Sequence, residues 1–442
     1  MRIGLIAMSG IRACDTELLR LGLTLPGFVE RSKTIAQLPS LGLLTLAGMT
    51  PPEHELRYIE MPEFSASTPI PEDLDLAAIS TYSAQVNEAY ALADRCAELG
   101  IPTVIGGPHV TALPEEAAAH CSAVVIGEGE ACWEEVLRDA SAGRLRKIYG
   151  SRESGYDLAD APMPAFELLV PARYNRITVQ TSRGCPHQCD FCASSVLLTG
   201  FYKQKPMEKV LAEIDKIQSI WEHPFLEFAD DNTFIDRKYW KKMLAAMAGR
   251  GLRWFTETDL SVSQDAELLD LMRHSGCAQV LIGFESPLED RLRGIELRAD
   301  WKRRQWSHYA EAIRTIQDHG ITVNGCFVLG LDGDGAEIFD RVFSFVEETG
   351  LYEVQVTVLT AFPGTPLYAR LKREDRILED RRWDRCTLFD VNFRPARMSA
   401  EQLAEGFRNL VVRLYGEEFT HRRRTSFVTR LRTLTRERQV TV

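Results

Sequence analysis

The chain has no long apolar run. None of its segments approaches the ~20 consecutive apolar residues a helix needs to span a bilayer, so no membrane association is expected. Its first residues, MRIGLIAM, lack the extended apolar core and small-residue cleavage site of a secretory signal. A cytoplasmic protein is the expectation. Positive charge is also in short supply. With 52 Lys and Arg against 63 Asp and Glu, the net charge is −11, a poor balance for wrapping nucleic acid. There is no repeat of fixed period and no low-complexity tract. What is there is an ordinary globular mix, 45% hydrophobic and 26% charged, which excludes a disordered chain, a collagen and a coiled-coil rod. At 442 residues the chain is too long for one domain, and two to three are expected.

Short apolar runs mark the strands. Residues 2–8, 55–61, 76–82, 102–107 and 123–129 each read as one, with a helix over about 87–98 that ends at Gly100. Strands alternating with helices predict a parallel, doubly wound sheet, so residues 1–150 form one Rossmann-like α/β domain. Residues 151–176, with Gly155, Pro162, Pro164 and Pro171, read as a linker. Strands follow at 177–182, 225–229, 252–258, 278–284, 322–329 and 353–359, with helices between them, for example 207–220 and 264–275. Six such units are too few for a full eight-stranded barrel, which usually needs ~250 residues, so 177–370 predict a partial, open (β/α)6 barrel. The remainder, 371–442, is helical and turns basic at 421–438 (HRRRTSFVTRLRTLTRER). Such a helix is usually a solvated face; an interaction surface is the sharper alternative.

Ten cysteines need an account. A reducing cytosol argues against a disulfide framework. Cys14, Cys96, Cys121, Cys132, Cys277, Cys326 and Cys386 are scattered, mostly among apolar neighbours, and read as small core residues. Cys185, Cys189 and Cys192 are crowded into TSRGCPHQCDFCASS, just after the first strand of the second domain. Three thiolates so close suit one soft metal centre, either zinc or an iron–sulfur cluster. Structural zinc takes four ligands, commonly as two separated pairs, whereas three cysteines on a [4Fe–4S] cluster leave one iron open for an exogenous ligand. Gly184 lets the loop turn tightly, and Phe191 offers an aromatic face to whatever binds there.

In spacing, in the aromatic Phe191 and in placement after a first barrel strand, this trio resembles the motif of radical S-adenosylmethionine (SAM) enzymes. GGPHVTALPEE (106–116) and VIGEGEACWEEVL (125–137) resemble the cobalamin-binding-type domain that precedes the barrel in one large branch of that family. FADDNTF (228–234), GFESP (283–287), FVLGLDGD (327–334) and AFPGTPLY (361–368) resemble its barrel motifs. Only the first ~30 residues and the basic tail fall outside the likeness. The resemblance implies a [4Fe–4S] cluster, SAM chelated at the open iron, a 5′-deoxyadenosyl radical that abstracts hydrogen from an unactivated C–H bond, and a flavodoxin- or ferredoxin-type electron donor.

The same resemblance puts the site at the C-terminal ends of the barrel strands. Asp230, Asp231 and Asn232 end the second strand, where carboxylates can take SAM's ammonium or merely cap the next helix. Glu257 and Asp259 end the third; at i, i+2 they share a face, and both are candidate catalytic residues holding a hydroxyl- or amine-bearing substrate, unless a barrel arginine neutralises them. Glu285 and Ser286 suit ribose hydroxyls or the methionyl group. Val328, Gly330 and Asp332 end the fifth strand, with small residues admitting adenine, and Phe362, Pro363 and Gly364 wall it. In the first domain, Gly106–Gly107, Ser80, Thr81, Ser83 and Gly127–Glu128 lie at strand ends that can hold a dimethylbenzimidazole tail. The cobalt-ligating Asp-x-His-x-x-Gly pattern is absent; His109 is outside it, and Asp318-His319-Gly320 has the wrong spacing.

Three functions compete. The expectation placed first is radical dehydration of a diol in a polyhydroxylated small molecule, such as an aminoglycoside of the paromamine kind in antibiotic biosynthesis. The acidic balance suits such an amino-sugar substrate. The alternative is cobalamin-dependent methylation of an unactivated carbon, the commoner work of this architecture. A zinc-stabilised, non-catalytic binding protein is the third.

Overall fold

The computed structural model describes residues 1–20, 38–153, 155–194 and 201–440. Part of the initial stretch outside the family likeness, residues 21–30, therefore lies outside the described residues.

Six parallel strands form the first sheet: β1 (Arg2–Met8), β2 (Glu55–Met61), β3 (Leu76–Ser80), β4 (Thr103–Gly106), β5 (Ala123–Ile126) and β6 (Ile148–Gly150), in the order β2-β1-β3-β4-β5-β6. Both faces are covered. Ile6 and Met8 of β1 join one apolar cluster, and Ile3, Leu5 and Ala7 join the other, which is why a parallel strand reads as an unbroken apolar run. The helix Val86–Glu98 buries Val86, Ala89, Tyr90, Ala93 and Cys96 on one face and stops before Gly100, whose φ is +74°. Strand order reverses between β1 and β3, the crevice where such sheets bind ligands. The short β6 was not expected; its three residues sit in a basic stretch without alternation.

The second sheet is also parallel: β7 (Ile177–Val179), β10 (Phe225–Phe228), β11 (Arg253–Thr258), β12 (Cys277–Glu285), β13 (Thr322–Leu329) and β14 (Glu353–Val358), in the order β14-β13-β12-β11-β10-β7. Among the described residues its edge strands do not pair, so the barrel is open. Asp236 and Asp265 accept from backbone N–H groups at the starts of the helices Arg237–Met247 and Ala266–His274. The expected strand 177–182 is broken. The N–H groups of Thr181 and Ser182 turn to the Asp230 carboxylate, 2.7 and 2.9 Å away, and leave the ladder. The chain then forms β8 (Ser182–Arg183), antiparallel to β9 (Lys203–Gln204), and the cysteine loop runs between these two.

The tail folds back on the barrel. Helix Ala400–Tyr415 starts at a capping box of Ser399 and Gln402 and buries Leu403, Phe407, Leu410, Val411 and Leu414. Helix Glu417–Val440 follows, with Arg422, Arg424 and Arg430 paired to Glu347, Glu353 and Asp318. No helix among the described residues is long and apolar enough to cross a membrane.

Candidate cluster and cofactor site

Carboxylates hold the cysteine loop in shape from several sides. Asp231, at the end of β10, accepts from the N–H of Gly184 at 2.8 Å and from the Ser194 hydroxyl, so it ties the loop's start to its far side. Gly184 takes φ +91°, which a side chain would oppose. Glu296, buried, accepts from the N–H groups of Gln188, Arg298, Ala299 and Trp301. The segment carrying it pairs antiparallel with Cys189, with Asp190 N–H to Ile295 O at 2.9 Å and Leu297 N–H to Gln188 O at 2.8 Å. His187 stacks on Trp301 at 4.6 Å and reaches Asp259 at 3.4 Å.

The donor set fits an iron–sulfur cluster. Cys189 is buried, and Cys185 and Cys192 lie close enough to act on it electrostatically. Burial pushes the Cys185 thiol up to about 11 and the Cys189 thiol up to about 12, so a bound metal centre would have to displace their protons. Among the described residues, no three His, Cys, Asp or Glu side chains converge on one metal-ion position, as a zinc centre requires. A four-iron cube gives each thiolate its own iron.

Inside the barrel, Glu257 is the singular residue. It is accessible to solvent yet flanked by protein charges, and no side-chain hydrogen bond from a described residue reaches it. Burial, together with the charges of Glu227 and Asp231, pushes it up to about 7. Its acidic neighbours are already partnered. Glu227 pairs with Arg176 at 2.7 Å, and Glu285 with Lys302, which also donates to Gly283 O at 3.0 Å. Glu285 has φ +62° and sits at a register shift in β12, so its placement costs backbone strain. Cys326 borders the same interior, near Glu257, Glu285 and Lys302.

The structure brings Cys185, Cys189, Cys192, Asp231, Glu285 and Glu257 around one space, and it sends other expected residues elsewhere. Asp230 is spent on Thr181 and Ser182, and burial pushes it up to about 6. Asp259 is already partnered within the protein, unlike Glu257. Although burial opposes it, hydrogen bonds from His187, Ser261 and Asn232 hold its carboxyl well below the usual range, and its work is to fix His187. Ser286 closes a turn through Leu288 N–H. Phe191 and Val328 pack with the barrel core. Gly330 is small for a different reason from the one expected: a Cβ there would lie 2.8 Å from Leu403 of the tail helix. Asp332 pairs with Arg370 and Arg376, and Phe362 packs toward the first domain's core beside Tyr368.

The first domain's strand ends meet this site. Glu128, after β5, receives Arg183 at 2.7 Å, Lys203 at 2.6 Å and the Tyr156 N–H at 2.7 Å, and Arg183 also binds Glu130 at 2.8 Å. Glu128 is therefore a tie between domains and is not free for a ligand tail. His109 is buried, bonded to Ser83 at 3.0 Å and Glu116 at 3.3 Å, and burial lowers its pKa; it is committed to the core. Gly107, at φ +124°, is required because a Cβ would lie 2.3 Å from Thr81 O. Lys302 and Arg183 could not be found from the sequence, because nothing in local spacing marks a residue whose partner is more than ten positions away.

A cysteine loop set at the mouth of an open parallel barrel and faced by a doubly wound domain defines a cluster-dependent enzyme class. Residues 179–346 match the family model of the Radical SAM superfamily, residues 34–137 that of the B12 binding domain, and residues 365–441 a domain of unknown function (DUF4070). The chain thus carries a radical SAM domain, with a B12-binding domain ahead of it. A radical SAM domain implies a [4Fe–4S] cluster and SAM, and a small-molecule substrate with an electron donor. The last match also takes the basic tail into a recognised domain. Among curated relatives, the bacteriochlorophyllide d C-12(1)-methyltransferase of Chlorobaculum tepidum is 29% identical, over 78% of this chain and 76% of its own. The hopanoid C-2 methylase of Rhodopseudomonas palustris is 27% identical, over 78% of this chain and 66% of its own. The fold is shared with the radical SAM methyltransferase TsrM of Kitasatospora setae, with a TM-score of 0.67 and 14% identity over 95% of this chain and 90% of that one.

Proposed function

We propose that the protein is a cobalamin-dependent radical SAM methyltransferase acting on an unactivated carbon of a small molecule. One observation carries the reading: the strand ends of the B12-binding domain are clamped, through Glu128 and Arg183, to the stretch that leads into Cys185. A corrin bound at the strand ends of that domain would be held near the cysteine loop, where methyl delivery needs it. The methyltransferase names of the relatives support this over the dehydration expected first.

When bound, the cluster with SAM supplies hydrogen abstraction, and cobalamin supplies the methyl group. The chain's own share is placement. Cys185, Cys189 and Cys192 are the cluster ligands, and Asp231 and Glu296 fix their loop. Glu285, oriented by Lys302, is placed to contact SAM. Glu257 holds a hydrogen-bond donor of the substrate in the barrel interior. Ten cysteines without disulfides suit a reducing cytoplasm.

Glu257 also keeps dehydration of an amino-sugar diol in view, since a carboxyl near neutrality can pass a proton to a leaving hydroxyl. Anaerobic turnover with SAM and hydroxocobalamin, scored by mass spectrometry on candidate substrates, decides between them. Gain of a methyl group that requires the corrin is the expected result. Loss of water without corrin would replace methyl transfer by dehydration.

A further inference from the structure

The chain is acidic overall, yet the segment lying against the cysteine loop is not. Between Arg291 and Arg304 there are six cations, and three of them, Arg293, Arg298 and Arg304, are exposed and form no ion pair with any described residue. The acids of the same segment are accounted for. Glu296 is buried and saturated by four backbone N–H groups. Asp290 pairs with Arg291, Glu289 with Arg303, and Asp300 accepts the Gly294 N–H and lies 3.6 Å from Arg303. What remains outward is positive. The same segment exposes Leu297, an apolar side chain 53% open to solvent.

This patch lies directly over a candidate cluster ligand. Leu297 donates to Gln188 O, and Glu296 pairs with Cys189. Paired backbones in an antiparallel bridge lie about 5 Å apart, so the surface leucine is one strand spacing from the Cys189 backbone. An exposed leucine in the same short segment as three unpaired arginines, on a protein of net charge −11, selects a partner by charge. We propose that the face built by Arg293, Leu297, Arg298 and Arg304 is the docking surface for a small acidic one-electron redox protein, which reduces the cluster through the Cys189 side. This rests on the cluster reading alone and not on methyl transfer. The step balances with one electron: the donor, for example a fully reduced flavodoxin, is oxidised to its semiquinone, and the cluster passes from the 2+ to the 1+ state.

The test uses reconstituted full-length enzyme under anaerobic conditions and follows semiquinone formation by stopped flow. The variant Arg293→Glu, Arg298→Glu, Arg304→Glu should slow reduction by flavodoxin about tenfold or more at low salt. Its cluster should still be reduced to the same extent by excess dithionite, with an unchanged paramagnetic signal. A control, Arg432→Glu with Arg436→Glu on the tail helix, should leave the flavodoxin rate in place. The wild-type rate should fall as salt rises, because screening shortens the reach of the patch. An unchanged flavodoxin rate in the triple variant, or a salt-independent wild-type rate, overturns the proposal. So does an equal loss in the tail-helix control. If the triple variant holds no cluster, the single neutralisations Arg293→Ser and Arg304→Ser replace it in the same salt series. Slower reduction at low salt then supports the docking face, and unchanged rates overturn it.

Discussion

Glu128 and Arg183 form a 2.7 Å ion pair that joins the end of β5 in the first domain to the residue two places before Cys185. Both side chains are largely buried, and Lys203 completes the pairing on the other carboxylate oxygen. The approach to the cysteine loop is thus fastened to the B12-binding domain.

Removing one partner should be costly. Arg183→Met leaves Glu128 with a single cation and is expected to destabilise the fold by about 3 kcal/mol. The pair also sets a pH limit. Burial alone would raise Glu128, but Lys203, the Tyr156 N–H and Arg183 bring it below its ordinary value. Its contribution is therefore present above the unfolded carboxylate's pKa, about 4.3, and is lost as pH falls through the lower folded value. Thermal melting of the apo chain from pH 7 to 3 should show a steeper acid loss in wild type than in Glu128→Gln.

Cys189→Ala should abolish cluster-dependent 5′-deoxyadenosine formation and leave less than a full cluster's iron after anaerobic reconstitution. Iron analysis and electron paramagnetic resonance check it. Wild-type iron content in the variant would remove Cys189 from the ligand set.

Glu257→Gln should reduce turnover more than tenfold, since a charge-assisted hydrogen bond contributes about 1.5–3 kcal/mol. The raised pKa, about 7, gives the sign of the pH dependence. If the carboxylate form binds substrate, kcat/KM rises through that pH and the limb vanishes in the variant. Stability runs the other way. A carboxyl whose folded pKa is raised holds extra protons in the native state, so stability falls as pH climbs from about 4.3 toward 7. The apo variant should melt above wild type at pH 8.

Gly330→Ala separates two reasons for a small residue. A Cβ would press on Leu403 at 2.8 Å, and φ is +95°. The variant should melt lower while SAM affinity, by equilibrium dialysis, is unchanged. A weakened SAM affinity at unchanged melting would restore the adenine reading.

The sheets were legible because buried parallel strands are apolar runs, and β1, β2 and β13 match their expected bounds. The cysteine trio was legible because its spacing is local. The partners of Asp230 and Asp259 were not legible, for the opposite reason. Each sits at a strand end, as an active-site residue would, and only the three-dimensional structure shows Thr181, Ser182 and His187 already occupying it. Lys302 and Arg183 look like surface cations in sequence, and their burial depends on acids 17 and 55 positions away.

The ties from Asp231 and Glu296 to backbone N–H groups have a consequence for assembly. Both clasp the polypeptide itself and leave the sulfur atoms uncommitted, so oxygen acceptors brace the described part of the loop independently of what its thiols bind. The chain is therefore expected to keep this backbone arrangement when iron and sulfide are withheld, which amide hydrogen exchange at Gly184 and Ala299 before and after reconstitution checks.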